Sequence, residues 1–205
     1  CLNKKFDFVD VGAGTGIWTR MVAPYAKTTI AIEPNSQMQK WGKMGNGLQQ
    51  IHWHFGRAEC TGLPCDSADL ISMASSLHWA DFDKAMVEFH RVLRAGGQFC
   101  ALWNTRKIEA NPLLLEIEAN LRAMVPDLKS MSSGRSEFCD TLSVKLRNCG
   151  VFNAPIYFEG MHLENMSPER YLGIWRSVND VRVQAGEKRF QEFLSFVHQK
   201  IKGVR

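Results

Sequence analysis

Apolar residues recur along the first hundred positions in two alternating rhythms. Short continuous runs at 6–11 ("FDFVDV"), 28–32 ("TTIAI"), 51–55 ("IHWHF") and 68–73 ("ADLISM") have the length and bounding turns of buried strands. Between them, apolar positions fall three or four apart. Phe82, Ala85, Met86, Phe89, Val92 and Leu93 share one face of a helix over 82–94, with Asp81 as its cap. A helix over Gly16–Tyr25 follows a glycine turn. Asn35 or Ser36 caps another that runs to Met44 and stops at "GNG", 45–47. "AGG" at 95–97 ends the helix over 82–94 and opens a fifth strand, Gln98–Trp103. Five strands separated by helices predict an α/β fold with a doubly wound, mostly parallel sheet, because parallel neighbours need crossover connections.

After residue 104 the rhythm changes. Helices are predicted over 112–124, 138–148, 167–177 and 187–201, with a polar turn, "SMSSGRSE", at 130–137 and a lone strand at 155–163. No internal repeat interrupts the chain. The reading is one domain, 1–205: a core over 1–104 and a variable half over 105–205 whose late helices cap the strand ends.

Open α/β sheets bind ligands at the carboxyl ends of their strands. That rule gathers Asp10–Trp18, Glu33, Arg57–Glu59, Ala74–Trp79 and Trp103–Asn104. Within "VDVGAGTGIW", glycines at 12, 14 and 16 leave room for a ligand against bare backbone. The dinucleotide fingerprint G-x-G-x-x-G needs its third glycine at position 17, where Ile17 stands, which speaks against an NAD(P)-dependent oxidoreductase. Asp10 puts a carboxylate near any cationic group held there. Glu33, ending the second strand, is placed to accept two hydrogen bonds from a ribose diol. Together they describe a ligand with a ribose and an ammonium, and with no required pyrophosphate.

Bulk properties narrow the class further. Hydrophobic residues make up 45% and charged residues 22%, as in ordinary globular domains. A net charge of +4, with its basic residues scattered, gives no case for nucleic acid. The six cysteines form no C-x-x-C, and "HWH" at 52–54 has no third ligand in view, so no metal is expected. No apolar run reaches the roughly 18 residues of a membrane helix, and no signal-peptide pattern opens the chain. The expected setting is cytoplasmic, away from any membrane.

"VDVGAGTG", "AIEPN", "GRAECTGLPCDSADLISMASSLHWAD" and "EFHRVLRAGGQFCALWN" resemble, in order, the motifs of the class I S-adenosylmethionine-dependent methyltransferases. The likeness is nearest to the small-molecule branch with the trans-aconitate and ubiquinone/menaquinone types. It runs from residue 6 to about 104, and more loosely through "YLGIWRSVNDV". The resemblance implies a Rossmann-like sheet with S-adenosylmethionine as cofactor and S-adenosylhomocysteine as product. Asp10 and the loop Gly12, Ala13, Gly14, Gly16 with Trp18 would hold the methionyl part, and Glu33 the ribose. Pro34 and Asn35 would flank the adenine, and Ala58 and Glu59 would meet its edge. Many relatives carry an acid where this chain has Arg57, which leaves that contact open. Ser75 would lie near the transferable methyl. The family also expects a seventh, antiparallel strand, absent from the sequence after 187, and an N-terminal helical segment; both fit a core trimmed at its ends.

The reaction implied is in-line methyl transfer to an oxygen, nitrogen or carbon nucleophile of a small metabolite. His78, at the mouth, is the candidate base; it also suits orienting its own loop. Trp79, Trp103, Asn104, Tyr171 and Trp175 are candidate acceptor residues, although aromatic residues at such spacing also build cores. Arg106 and Arg176 could pair with an acceptor carboxylate. A place reading "SMASSLHW" lacks the [N/D]-P-P-[Y/F/W] of enzymes acting on DNA-base amines. A cofactor-binding module without activity is the non-enzymatic alternative.

Overall fold

A computed structural model describes residues 6–45, 50–128 and 137–202. The strands are β1 (Asp7–Val11), β2 (Thr28–Ile32), β3 (His52–His54), β4 (Ala68–Ala74) and β5 (Leu93–Leu102). The helices are α1 (Ile17–Val22), α2 (Ser36–Met44), α3 (Phe82–Val92), α4 (Pro112–Met124), α5 (Glu137–Asn148), α6 (Pro168–Ser177), α7 (Asn179–Ala185) and α8 (Glu187–Ile201). Two compact units are formed: residues 1–104 with 137–156, and residues 105–136 with 157–205.

The first unit holds a five-stranded, wholly parallel sheet in the order β3-β2-β1-β4-β5. Chain order reverses at β1, which has β2 on one side and β4 on the other. That is the switch point where ligands of such sheets bind. Phe8, Val9 and Val11 are buried, as expected of a strand covered on both faces. The predicted face of α3 packs inward through Ala85, Met86, Phe89 and Val92, and the Phe89 ring lies 5.0 Å from that of Phe99 on β5. Asp81 caps α3 and Asn35 caps α2, the latter accepting from the amides of Gln37 and Met38.

Far from the switch point, Arg94 fastens the amino ends of three strands. Its guanidinium lies 2.9 Å from both Asp7 and Asp69. Asp69 also accepts the Asp7 amide at 2.8 Å, and these donors hold its carboxyl below the ordinary range, the amide foremost.

In the second unit, Phe190, Phe193, Val197 and Ile201 on α8 are buried with Ile117 and Leu121 of α4 and Leu172 and Trp175 of α6. Trp175 meets Phe193 edge-on, with ring centroids 4.8 Å apart.

Several boundaries differ from the sequence reading. The predicted strand at 155–163 is irregular chain: a strand exists by pairing, and no described strand pairs with it. Phe158 and Leu163 there are 87% and 98% exposed. "AGG" does not separate α3 from β5; the strand starts at Leu93 and takes the glycines into itself, with a shift of register between Ala68 and Leu70. Pro24 turns the end of the first predicted helix into a 3-10 turn over Ala23–Tyr25. Helix α7 is unforeseen because it is one short stretch burying a single side chain, Val181. Most of "GNG" and of "SMSSGRSE" lies outside the described residues. Among the described residues no strand follows β5.

Candidate functional site

The turn after β1 is made by backbone that only glycine adopts easily. Gly12 has φ +70°, and a Cβ there would meet the Ser76 Cβ at 2.7 Å. Gly14, at φ +58°, differs: a Cβ built on it meets nothing within 4 Å. Gly12 is thus required by packing, whereas Gly14 borders open space.

Asp10 lies beneath this loop, 1% exposed. Its Oδ2 accepts from the Thr19 hydroxyl at 2.6 Å and its Oδ1 from the Ser72 hydroxyl at 3.1 Å. Ser72 in turn accepts from the Trp18 indole N–H at 2.9 Å. Burial pushes the Asp10 carboxyl up to about 7, the two hydroxyl donors pull it back, and Glu33 nearby adds to the rise. This network ties β1, β4 and the first turn of α1 together. Sequence reasoning passes over Thr19 and Ser72. The available signal was Ser72 itself, a polar residue in the apolar run "ADLISMA" and opposite Asp10 in the strand register.

Glu33 leaves β2 with its carboxylate turned across to the glycine loop. Oε2 accepts the Gly14 amide at 2.8 Å and Oε1 the Asn35 amide at 2.8 Å. The side chain is 6% exposed. Gln39, another residue not foreseen, donates to the carbonyls of Glu33 and His54 and so fixes the end of β2 against β3.

The remaining strand ends join the same region. Ser76 donates to the Val11 carbonyl at 3.1 Å, and the Ser75 amide donates to Leu102 at 2.9 Å. Ser75 is exposed and holds φ +53°, a left-handed conformation uncommon outside glycine and often found at functional positions. Ala58 is buried, and Glu59 accepts the Asp81 amide at 2.7 Å, anchoring the 58–59 segment beside α3. Arg57 and Cys60 exchange backbone hydrogen bonds across that turn. Pro34 is exposed beside Glu33.

His78 and Trp79 lie on a 3-10 turn after β4, their rings 5.0 Å apart. Both His78 ring nitrogens are buried without a hydrogen-bond partner among the described residues, and burial lowers its pKa, so the ring is neutral at pH 7. Trp79 is 62% exposed. Trp103 packs toward Phe138 of α5, and its indole N–H is likewise unpartnered. Asn104 is exposed. Arg106, Tyr171, Trp175 and Arg176 belong to the second unit. Among the described residues no cluster of His, Cys, Asp or Glu could hold a metal ion, and no helix is long and apolar enough to cross a membrane.

A parallel sheet with this order, a glycine loop after β1 and an acid ending β2 make a Rossmann-like α/β fold. Residues 9–101 match the family described as "Methyltransferase domain". An uncharacterised methyltransferase of Mycobacterium tuberculosis is 35% identical over 98 residues, 48% of this chain and 40% of its own length. The ubiquinone/menaquinone biosynthesis C-methyltransferase UbiE of Rubrivivax gelatinosus is 30% identical over 95 residues, 46% of this chain and 38% of its own. The matched stretch thus spans about two-fifths of the curated relatives' length. Two solved structures share the fold. One, from Anabaena variabilis, is assigned as a methyltransferase of an antibiotic-biosynthesis pathway; its TM-score is 0.64 at 17% identity, covering 98% of this chain and 81% of that one. The other, from Anaeromyxobacter dehalogenans, is assigned as a type II methyltransferase; its TM-score is 0.62 at 21% identity, covering 95% and 80%.

Proposed function

We propose that this domain binds S-adenosylmethionine at the β1–β2 strand ends and directs its methyl group to a nucleophilic oxygen, nitrogen or carbon of a small metabolite. The observation that carries this reading is the joint placement of Glu33 and the glycine loop. A buried carboxylate beside bare, sterically open backbone at Gly14 fits a ribose next to a chain lying on the loop. Once bound, the cofactor supplies a methyl group already activated on a sulfonium, for in-line displacement by the acceptor.

This chain's residues supply the alignment. Glu33 accepts the two ribose hydroxyls, and Pro34 and Ala58 border the base. Asp10 holds the loop from below through Thr19 and Ser72. Ser75, exposed and strained after β4, borders the methyl-bearing end. Holding acceptor and donor at near-attack distance contributes much of the rate when no further activation is needed. For a hydroxyl acceptor, neutral His78 takes the proton, because its lowered pKa keeps a lone pair available at pH 7.

The test is calorimetric titration of the chain with S-adenosylmethionine, S-adenosylhomocysteine and NADH, alongside Glu33→Ala. Binding of the first two, lost in the variant, supports the reading. Binding of NADH alone overturns it.

A further inference from the structure

Among the described residues, the second unit contains donors that no protein group satisfies. On α6, Tyr171 and Trp175 stand one turn apart and so share a face. The Tyr171 hydroxyl and the Trp175 indole N–H are both buried without a hydrogen-bond partner among the described residues. Trp175 is 4% exposed, held edge-on by Phe193. Over the indole face, 4.4 Å from the ring centroid, lies the guanidinium of Arg106, an exposed residue.

Leaving a buried N–H or O–H unpaired costs about 1–3 kcal/mol each, so two on one helix face call for an occupant. The chemistry of that occupant follows from the donors. An indole N–H only donates, a guanidinium only donates, and a phenol donates readily. Their complement is a group rich in lone pairs, and the fixed positive charge of Arg106 favours a negative one. Lys107, next in the chain, places its ammonium 3.2 Å from the Met161 sulfur instead. A dianion would carry unbalanced charge into a largely apolar helix cluster. The Tyr171 and Trp175 polar atoms are closed to solvent, so an occupant enters only as exposed side chains move, and Arg106 lies over the indole in position to do so.

We infer that Arg106, Tyr171 and Trp175 form a carboxylate-binding subsite, with Arg106 as its movable cover. The site stands on the second unit alone. The ligand class is then a monocarboxylic acid. Arg176, the other arginine considered for that role, is exposed.

The experiment follows the Trp175 indole N–H in the proton–nitrogen spectrum of the full chain, with Trp175→Phe used only to identify its signal. Acetate and propionate are titrated, with acetamide as the neutral isostere and inorganic phosphate as the competing anion. The expected result is a saturable shift with the carboxylates and none with acetamide. Affinity should weaken about tenfold or more in Arg106→Gln, the loss of one charged hydrogen bond. Arg106 is exposed, so that variant folds, and Tyr171→Phe gives an independent check by removing only a hydroxyl. No shift with any probe means that water alone meets these donors, and the proposal fails. An equal response to acetamide, an unchanged response in Arg106→Gln, or a preference for phosphate also overturns it. S-adenosylhomocysteine binding, measured by calorimetry on the same sample, separates the two readings. Cofactor binding without a carboxylate shift removes this subsite only; a carboxylate shift without cofactor binding removes the methyl-transfer reading and leaves the anion site.

Discussion

The Glu33 carboxylate lies 2.8 Å from the amide of Gly14, nineteen positions earlier in the chain. Through that bond the end of β2 sets the height of the loop after β1. The other oxygen holds Asn35, the residue that caps α2. One side chain therefore fixes both the loop and the helix start. In Glu33→Gln an amide N–H₂ must face one of two N–H donors. A charged hydrogen bond is worth about 1.5–3 kcal/mol, so affinity for S-adenosylhomocysteine should fall about tenfold to a hundredfold by calorimetry. Unchanged affinity would remove Glu33 from the site.

Gly12 and Gly14 should separate stability from binding. Gly12→Ala combines a left-handed backbone with an overlap against Ser76, and should cost about 1–3 kcal/mol in urea unfolding. Gly14→Ala meets no neighbour, so only backbone strain remains, about 1 kcal/mol. Its methyl group enters the space assigned to the cofactor, and cofactor affinity should fall more than stability does.

Asp10 makes folding depend on pH with a definite sign. Its carboxyl sits near 3.8 in the unfolded chain and about 7 when folded, raised mainly by burial. The folded form therefore holds the proton more tightly. The contribution to stability is complete below about pH 4 and is lost as pH rises toward 7. Asp10→Asn cannot titrate, so unfolding curves across this window should show a smaller decline for the variant than for the native chain. Parallel profiles would contradict the assignment.

Phe89 anchors α3 on the sheet. It is fully buried and packs on Phe99. Phe89→Ala should lower unfolding free energy by about 3–5 kcal/mol, measured by denaturant titration. A loss under 1 kcal/mol would mean that the cluster closes over the gap.

Much of the first unit was legible because local pattern and tertiary role agree there. Apolar runs of strand length, the caps Asn35 and Asp81, and the helical face of α3 each report burial that the sheet then uses. Glu33 and the glycine loop were visible for a related reason: each sits directly after a strand, and strand ends in such sheets converge. Thr19, Ser72 and Gln39 were not visible as site residues. Their roles depend on which strands and helices become neighbours, and hydroxyl or amide groups carry no mark of their partners.

The segment at 155–163 shows the opposite limit. Its run of Ile156, Tyr157 and Phe158 has strand-forming composition, yet a strand needs a paired edge, and pairing is not a property of one segment. The same holds for Tyr171 and Trp175: helical spacing placed them on one face, while only packing showed that their polar atoms are buried without partners among the described residues. The sequence alone determined the alternation of elements and the chemical groups at the strand ends, because both follow from local spacing. Tertiary structure decided which hydrogen bonds those groups make, which stay unmet, and how far burial moves Asp10, because each depends on neighbours distant in the chain.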